Sequence, residues 1–213
     1  MNLANDGIEA LAALPFAPGT SPFRVKGTAF RGHFEYVTRV FPPGLERMLD
    51  AIDDPALKDF FRQHFLASSF YDVFPLAWAA VIGAKMSKMP YLDFVRIRTR
   101  EQAKLDVGGV YRVLLALASP NAVAQRLPRL VSQYFNFGGA TVQKNVPGEV
   151  MAVQSGMPLP LVPWYEVLVT NYCEVVLSRA GAKNLQVKCT RADGGQAHGI
   201  PLMDLHLEMK FDR

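Results

Sequence analysis

The side chains best suited to bind a small molecule are large rings near predicted helix starts, helix breaks and a proline-rich loop. These rings are Tyr71, Phe74, Trp78, Tyr111, Phe135, Trp164 and Tyr165. A buried Tyr or Trp joins a broad apolar surface to one O–H or N–H group, which suits a mostly apolar cavity with few polar contacts. Arg112 follows Tyr111 and could anchor a carboxylate. The set predicts an aromatic-lined pocket, although any single ring is more often a core residue.

Soft metal ligands are scarce in this chain. Its 2 cysteines exclude a disulfide scaffold, a four-cysteine zinc site and a cysteine-ligated iron–sulfur cluster. The groups that could meet near the last predicted hairpin are Cys173, Cys189, His198 and His206. Cys189 alternates with polar residues in step with Leu185 and Val187, which is typical of a buried thiol that packs as a small hydrophobe. We therefore expect no bound metal, with a zinc site as the alternative.

Signatures of catalysis are missing from the sequence. The chain contains no Gly-x-Ser-x-Gly, no His-Glu-x-x-His and no phosphate-binding glycine loop, and Glu149 and Glu174 are isolated carboxylates. We expect a protein that is not an enzyme. Catalysis on a small hydrophobic substrate is the weaker alternative.

A run of basic residues raises the question of a nucleic-acid or lipid surface. The residues are Arg96, Arg98, Arg100, Lys104, Arg126 and Arg129, with Arg98 offset from the face that Arg96, Arg100 and Lys104 share. Asp93, Glu101 and Asp106 balance these charges, the net charge is only +4, and no aromatic residues interleave for base stacking. We therefore expect a solvated helix face and no nucleic-acid partner.

Length and composition indicate a globular protein. Half of the 213 residues are hydrophobic and 20% are charged, which argues against disorder. The longest apolar run, residues 76–84, is far shorter than the ~20 residues that a membrane-spanning helix needs. The first residues lack a positively charged segment and include Asp6 and Glu9, so they make a poor signal peptide. We expect a cytoplasmic protein with no membrane span.

Prolines and glycines divide the N-terminal half into predicted elements. Residues 1–22 are interpreted as an arm, and residues 23–137 as the helical half of a single domain that covers residues 23–213. A short strand is predicted at residues 25–30. Helices are predicted after Pro42-Pro43-Gly44, from Asp54-Pro55, from Pro75, over residues 91–118, and in two pieces after Ser119-Pro120 that Pro128 separates.

The C-terminal half, residues 138–213, shows the period of β-strands. A hairpin is predicted around Pro147-Gly148, and a helix from Trp164 to Gly181. The clearest strand has Met203, Leu205, Leu207, Met209 and Phe211 alternating with polar residues. Asp193-Gly194-Gly195 is assigned to the loop before it. The predicted fold is α+β, with an N-terminal helical bundle packed on a C-terminal four-stranded antiparallel sheet and a crossing helix.

Several stretches resemble an uncharacterised bacterial family of about this length that has many paralogues in myxobacteria. They are Tyr71-Asp72-Val73-Phe74-Pro75, Asp106-Val107-Gly108-Gly109-Val110-Tyr111-Arg112, Ser119-Pro120 and Phe135-Asn136-Phe137-Gly138. That family is similar to the superfamily of vinyl-4-reductase-type sensor domains, haem-nitric-oxide/oxygen-binding domains and subunits of the TRAPP transport particle. The resemblance spans residues 23–211. It implies a pocket between helices and sheet that holds a haem, an aromatic effector or an acyl chain in different members.

The haem-binding relatives imply a proximal histidine and a Tyr-x-Ser-x-Arg motif that grips the propionates. This sequence contains no Tyr-x-Ser-x-Arg. His64 lies on the predicted apolar stripe of its helix with Leu57, Phe60 and Phe61, and could ligate iron. Since the motif is missing, we expect no cofactor.

These observations favour a non-catalytic small-molecule-binding or sensory domain. A small hydrophobic or aromatic ligand in the pocket would alter a surface that binds a protein partner, which requires different affinities for two states. The alternative is an adaptor or scaffold with a filled core, acting through homodimerisation or other protein contacts. A cavity larger than ~300 Å³ would favour the sensor, and a dense core the adaptor.

Overall fold

The computed structural model describes residues 3–108 and 119–212. Tyr111, Arg112 and the last part of the helix predicted over residues 91–118 lie outside them. The helices are α1 (Leu3–Ala12), α2 (Gly27–Val40), α3 (Leu45–Asp50), α4 (Pro55–Arg62), α5 (Phe74–Ser87), α6 (Tyr91–Gly108), α7 (Pro120–Ala124), α8 (Leu127–Tyr134) and α9 (Val162–Arg179). The strands are β1 (Arg24–Lys26), β2 (Phe70–Asp72), β3 (Gly139–Val146), β4 (Glu149–Pro158), β5 (Lys183–Ala197) and β6 (Ile200–Asp212).

Local signals place most helix starts. Asp54 caps α4, because its Oδ1 accepts hydrogen bonds from the backbone N–H of Ala56 at 2.8 Å and of Leu57 at 3.4 Å. Pro55 then occupies the first turn, where its missing N–H costs nothing. The prolines of α5, α7 and α8 also stand in the first or second position of their helices. The two predicted pieces are present as α7 and α8, but the chain breaks at Gln125 and Arg126, and Pro128 lies in the first turn of α8.

Two predictions in the helical half are wrong. The strand predicted at residues 25–30 is only β1, because Gly27 already begins α2; a Cβ on Gly27 would lie 2.2 Å from the carbonyl oxygen of Leu66. Helix α4 ends at Arg62, since Gln63 takes an extended conformation. His64 therefore lies beyond the helix and is exposed rather than on its apolar stripe.

The N-terminal segment is packed against the rest of the chain. A Cβ on Gly7 of α1 would lie 3.0 Å from Cγ of Pro163, at the start of α9. The Asp72 carboxylate accepts hydrogen bonds from the backbone N–H groups of Gly19 and Ser21 at 3.0 and 3.2 Å. These bonds hold the segment between α1 and β1 against the end of β2.

The predicted antiparallel sheet is confirmed, with strand order β3-β4-β6-β5. The β3–β4 hairpin turns at Gly148, which has φ +78°. On β6, Leu205, Leu207 and Met209 are at most 6% exposed and face α9 and the core, as their alternation predicts. Helix α9 crosses this face and begins at Val162, two residues before the predicted Trp164, after a 3-10 turn at Leu159–Leu161.

The loop predicted at Asp193-Gly194-Gly195 is a β-bulge. Strand β5 continues to Ala197, with a register shift against β6 between Asp193 and Gln196. Gly195 has φ +80°, which only glycine adopts readily, and the turn itself lies at His198 and Gly199. A bulge and a loop use the same residue types, so the glycines alone did not distinguish them.

In the two described stretches, no helix is both long enough and apolar enough to cross a membrane.

Candidate functional site

A cavity of about 180 Å³ lies between α2, α5, α6, α8 and α9. Its apolar wall includes Val25, Leu76, Ala80, Val95, Leu130, Val131, Phe135, Trp164, Tyr165, Leu168 and Val169. Its polar groups come from His33, Arg98, Thr99, Gln102, Asp106, Tyr134 and Tyr172. The site thus joins an apolar body to one polar end, the usual composition of a small-molecule site.

Three of the predicted pocket residues line this cavity: Phe135, Trp164 and Tyr165. The Phe135 and Tyr165 rings meet edge to face, with their centroids 5.7 Å apart. Tyr165 is 2% exposed and donates its O–H to Oε1 of Gln154 at 3.2 Å, so its polar group is satisfied within the protein. Trp164, the residue before Tyr165, also lies in the first turn of α9.

The other predicted residues lie elsewhere. Phe74 and Trp78 line a separate surface groove beneath α1, where Phe16 stacks on Phe74 at a centroid distance of 6.3 Å. Tyr71 packs on Phe65 in the aromatic core of the helical half. Its hydroxyl accepts from the N–H of Leu66 at 2.8 Å and donates to the carbonyl oxygen of His64. Tyr111 and Arg112 lie outside the described residues.

His33 is a cavity residue that sequence reasoning missed. It is 3% exposed, and its imidazole contacts the backbone of Ala79 through a hydrogen bond. Burial, with the nearby charge of Arg98, lowers the pKa of His33 to about 3, so the ring is neutral at neutral pH. Its Nε2 is buried and has no hydrogen-bond partner among the described residues. The cavity wall therefore holds one unused hydrogen-bonding nitrogen.

Arg98 is a second cavity residue that the sequence analysis did not identify as one. Part of its side chain reaches solvent, but Nε is buried and has no hydrogen-bond partner in the described parts of the chain. Its guanidinium carbon lies 5.5 Å from the centroid of the Tyr36 ring, a cation–π contact. Burial lowers the pKa of Arg98 to about 10, which leaves the group cationic at neutral pH.

Asp106 sits in a short hydrogen-bonded chain beside Arg98. Its Oδ1 accepts from Nε2 of Gln102 at 2.6 Å, and its Oδ2 accepts from the hydroxyl of Tyr172 at 3.1 Å. Burial raises the pKa of Asp106, while these two bonds and the charge of Arg98 oppose that rise. Burial also raises the pKa of Tyr172, so this hydroxyl remains a donor.

A spacing signal for this polar end was present in the sequence. Arg98, Gln102 and Asp106 follow one another at intervals of four and therefore share one face of α6. The basic residues of the outer face are paired instead: Arg96 with Asp93, Arg100 with Glu174, and Lys104 with Glu101. The partners Asp93 and Glu101 are those expected of a solvated helix face. Arg100 instead pairs with Glu174 of α9, a carboxylate that the sequence analysis took as isolated, and Asp106, also expected to balance this face, lies at the cavity.

Cys173 is buried, whereas Cys189, which was expected to be a buried thiol, is only half-buried. Burial raises the pKa of both Cys173, which lines the cavity, and Cys189 to about 12. His198 packs edge-on against Phe23 at a centroid distance of 5.6 Å, and His206 is exposed on β6. Within residues 3–108 and 119–212, no three His, Cys, Asp or Glu side chains are grouped so that they could hold a metal ion.

Comparisons with known proteins bear on the fold alone. No model of a known family matches, and no curated protein is similar in sequence. Solved H-NOX structures are similar in architecture. An oxygen-binding H-NOX domain related to soluble guanylate cyclases has a TM-score of 0.63 and 8% identity, with 88% of this chain and 95% of that chain covered.

Two further H-NOX structures agree with the first. An H-NOX protein from S. oneidensis has a TM-score of 0.58 and 11% identity, over 88% of this chain and 96% of its own. The Fe(II) unliganded H-NOX protein from K. algicida has a TM-score of 0.56 and 8% identity, over 88% and 97%. The fold expected from the haem-nitric-oxide/oxygen-binding branch is thus present. None of these comparisons supports the myxobacterial family.

The cavity does not fit a haem. An apolar cavity of roughly 150 Å³ accommodates benzene, and a space of about 180 Å³ accommodates little more than one substituted ring. A porphyrin carries several such rings in one plane. The propionate-gripping motif is also missing from the sequence, and His64, the residue that could have ligated iron, is exposed. The volume is below the ~300 Å³ that we set as favouring the sensor, so the size criterion does not favour it over the adaptor. A space of this size restricts any ligand to a single ring.

Proposed function

We propose that this chain is a non-catalytic small-molecule-binding domain that holds a single-ring ligand in the cavity between α2, α5, α6, α8 and α9. The observation that carries the proposal is the cavity itself, whose apolar wall ends in polar nitrogens without partners at His33 and Arg98. A filled core leaves neither a space of this size nor unused buried donors and acceptors.

The energetics of the cavity favour a ligand. Apolar space that side chains leave unfilled lacks van der Waals contacts, and mutational series show that such space destabilises the folded state. A ligand that fills the space restores the lost van der Waals contacts and binds the folded state only. Its occupancy therefore raises the stability of the protein.

Helix α6 connects the cavity to the surface. Its inner face contributes Val95 and Thr99 to the wall. Its outer face carries Ile97 and Leu105, which are 44% and 57% exposed. A small displacement of α6 on ligand binding would move these apolar side chains, and we propose that they belong to a surface for a protein partner. Such a displacement requires two conformations of the protein that differ in the position of α6. The ligand shifts the equilibrium between them only if its affinity for the two conformations differs.

Toluene tests the proposal, because it is a neutral ligand of the right size. We expect toluene to raise the melting temperature of the wild-type protein and to be retained in native mass spectrometry. Ala80→Leu places a larger side chain in the cavity wall and should abolish both effects. Ala56→Leu, on the exposed surface of α4, is the control and should leave both effects intact. The proposal is refuted if neither toluene nor any other single-ring compound stabilises the wild-type protein.

The adaptor alternative retains one supporting observation. Strand β5 is an edge of the sheet. It pairs with β6 along most of its 15 residues, and no strand of residues 3–108 or 119–212 pairs with its other edge. Such an edge offers backbone groups to a second copy of the chain. Light scattering of the purified protein tests this candidate function: a monomer at micromolar concentration would exclude homodimerisation as the mode of action.

A further inference from the structure

We propose that the polar end of the cavity is a carboxylate subsite, and that the ligand class is a single-ring aromatic monocarboxylate anchored by Arg98. The proposal rests on the proposed function and specifies its ligand. Benzoate is the simplest member of the class.

The first argument for a carboxylate subsite is that the charge of Arg98 has no anionic partner among the described residues. A buried cationic group is costly unless an anion or several hydrogen bonds compensate it. The neighbouring arginines of α6 have such partners: Arg96 pairs with Asp93, and Arg100 with Glu174 and with Oδ1 of Asn171. Among the described residues, no carboxylate lies within ion-pair distance of Arg98, and its Nε makes no hydrogen bond. Among the arginines of α6, Arg98, whose Nε is buried although part of its side chain reaches solvent, is thus the one without an anion.

Asp106 does not fill that role. It attracts Arg98 electrostatically, but it forms no ion pair with it. Both of its oxygens already accept bonds, from Gln102 and from Tyr172. Those bonds hold the carboxylate toward α9 and along α6. Arg98 remains available to an anion that enters from the cavity.

The surroundings of Arg98 hold its guanidinium in place. The Tyr36 ring covers it, with the ring centroid 5.5 Å from the guanidinium carbon of Arg98. The same centroid lies 5.6 Å from the guanidinium carbon of Arg39, and Arg39 pairs with Glu101 at 3.6 Å. Gly32 faces it from α2: a Cβ there would lie 3.3 Å from Nη2 of Arg98. The missing side chain at Gly32 leaves room for the planar group between the two helices. A rigid planar guanidinium is suited to binding a planar carboxylate.

The size and chemistry of the rest of the cavity define the ligand body. The space of about 180 Å³ admits one ring. Phe135 and Trp164 offer aromatic surface for that ring, and Leu130 completes an apolar side. A ring with one carboxylate therefore matches both ends of the site.

Binding of benzoate and toluene to the wild type, Arg98→Gln and Arg96→Gln tests the subsite. Isothermal titration should show that benzoate binds the wild type at least about 10-fold more tightly than toluene. Arg98→Gln should weaken benzoate about 10- to 100-fold, the range for a hydrogen bond to a charged group, and leave toluene unchanged. Arg96→Gln removes an exposed, paired arginine from the same helix and should change neither affinity.

The outcomes separate the two proposals. If toluene binds and benzoate binds no more tightly, or if Arg98→Gln leaves the benzoate affinity unchanged, the carboxylate subsite is wrong and the proposed function stands. If no single-ring compound binds, both fail. Should Arg98→Gln not fold, benzamide replaces the variant, because this neutral isostere must bind the wild type about 10-fold more weakly than benzoate. Equal affinity for the two compounds would overturn the subsite.

Discussion

The hydroxyl of Tyr172 on α9 donates a 3.1 Å hydrogen bond to Oδ2 of Asp106 on α6. This bond links the two long helices, α6 and α9, which both contribute to the wall of the cavity. It also joins the sheet half, which α9 crosses, to the helical half. The polar end of the cavity is therefore part of the connection between the two halves of the fold.

Removing this bond should destabilise the protein. Tyr172→Phe leaves one oxygen of a buried carboxylate without its donor, and we expect a loss of about 1–3 kcal/mol in the free energy of unfolding. Urea denaturation of Tyr172→Phe, Asp106→Asn and the double variant measures the coupling. A coupling near zero in this cycle would show that the bond contributes nothing.

Buried His33 should make stability fall in acid. Its folded pKa of about 3 lies below the ordinary 6.5, so the unfolded chain takes up a proton before the folded protein does. The stability from this group is complete above pH 6.5 and is lost as the pH falls toward 3, at up to about 1.4 kcal/mol per pH unit. Urea denaturation of His33→Gln between pH 7 and pH 4 should show a flatter dependence than the wild type.

The control for His33 is His206, which is exposed on β6. His206→Gln should keep the pH dependence of the wild type. If His33→Gln and the wild type lose stability in parallel, the burial of a neutral imidazole is not the cause.

Gly32 should separate ligand binding from stability. Gly32→Ala raises helix propensity by about 1 kcal/mol, but its Cβ would lie 3.0 Å from Oε1 of Gln102 and 3.3 Å from Nη2 of Arg98. Both neighbours are ends of flexible side chains and can move. We expect a melting temperature equal to or above that of the wild type together with weaker benzoate binding. Unchanged benzoate affinity would mean that the position of the guanidinium is not important.

The thiols should be unreactive in the folded protein. Burial holds the pKa of Cys173 and Cys189 at about 12, so little thiolate forms at pH 8. A colorimetric thiol titration should report both cysteines only after denaturation. Rapid reaction of the native protein with a thiol reagent would contradict this prediction, and Cys173→Ala and Cys189→Ala would identify the residue.

Several elements were predictable because their causes are local. Asp54-Pro55 begins α4, and the alternation along β6 places Leu205 and Met209 on the buried face. A cap, a proline and a period of two depend on neighbouring residues and on one distinction between inside and outside. The α+β class followed from the change of period after Gly138.

The site depended on contacts that no local pattern contains. The four-residue spacing puts Arg98, Gln102 and Asp106 on one face of α6, but it does not state which face turns inward. That choice depends on how α2 and α9 pack around α6, where Gly32 leaves room and Tyr172 supplies a donor. Tertiary structure likewise decided two further features. The bulge at Gly194 and Gly195 depends on the pairing of β5 with β6, and His64 is exposed because α4 ends before it. A cavity is the space between elements distant in sequence, so its position and size arise only when those elements pack.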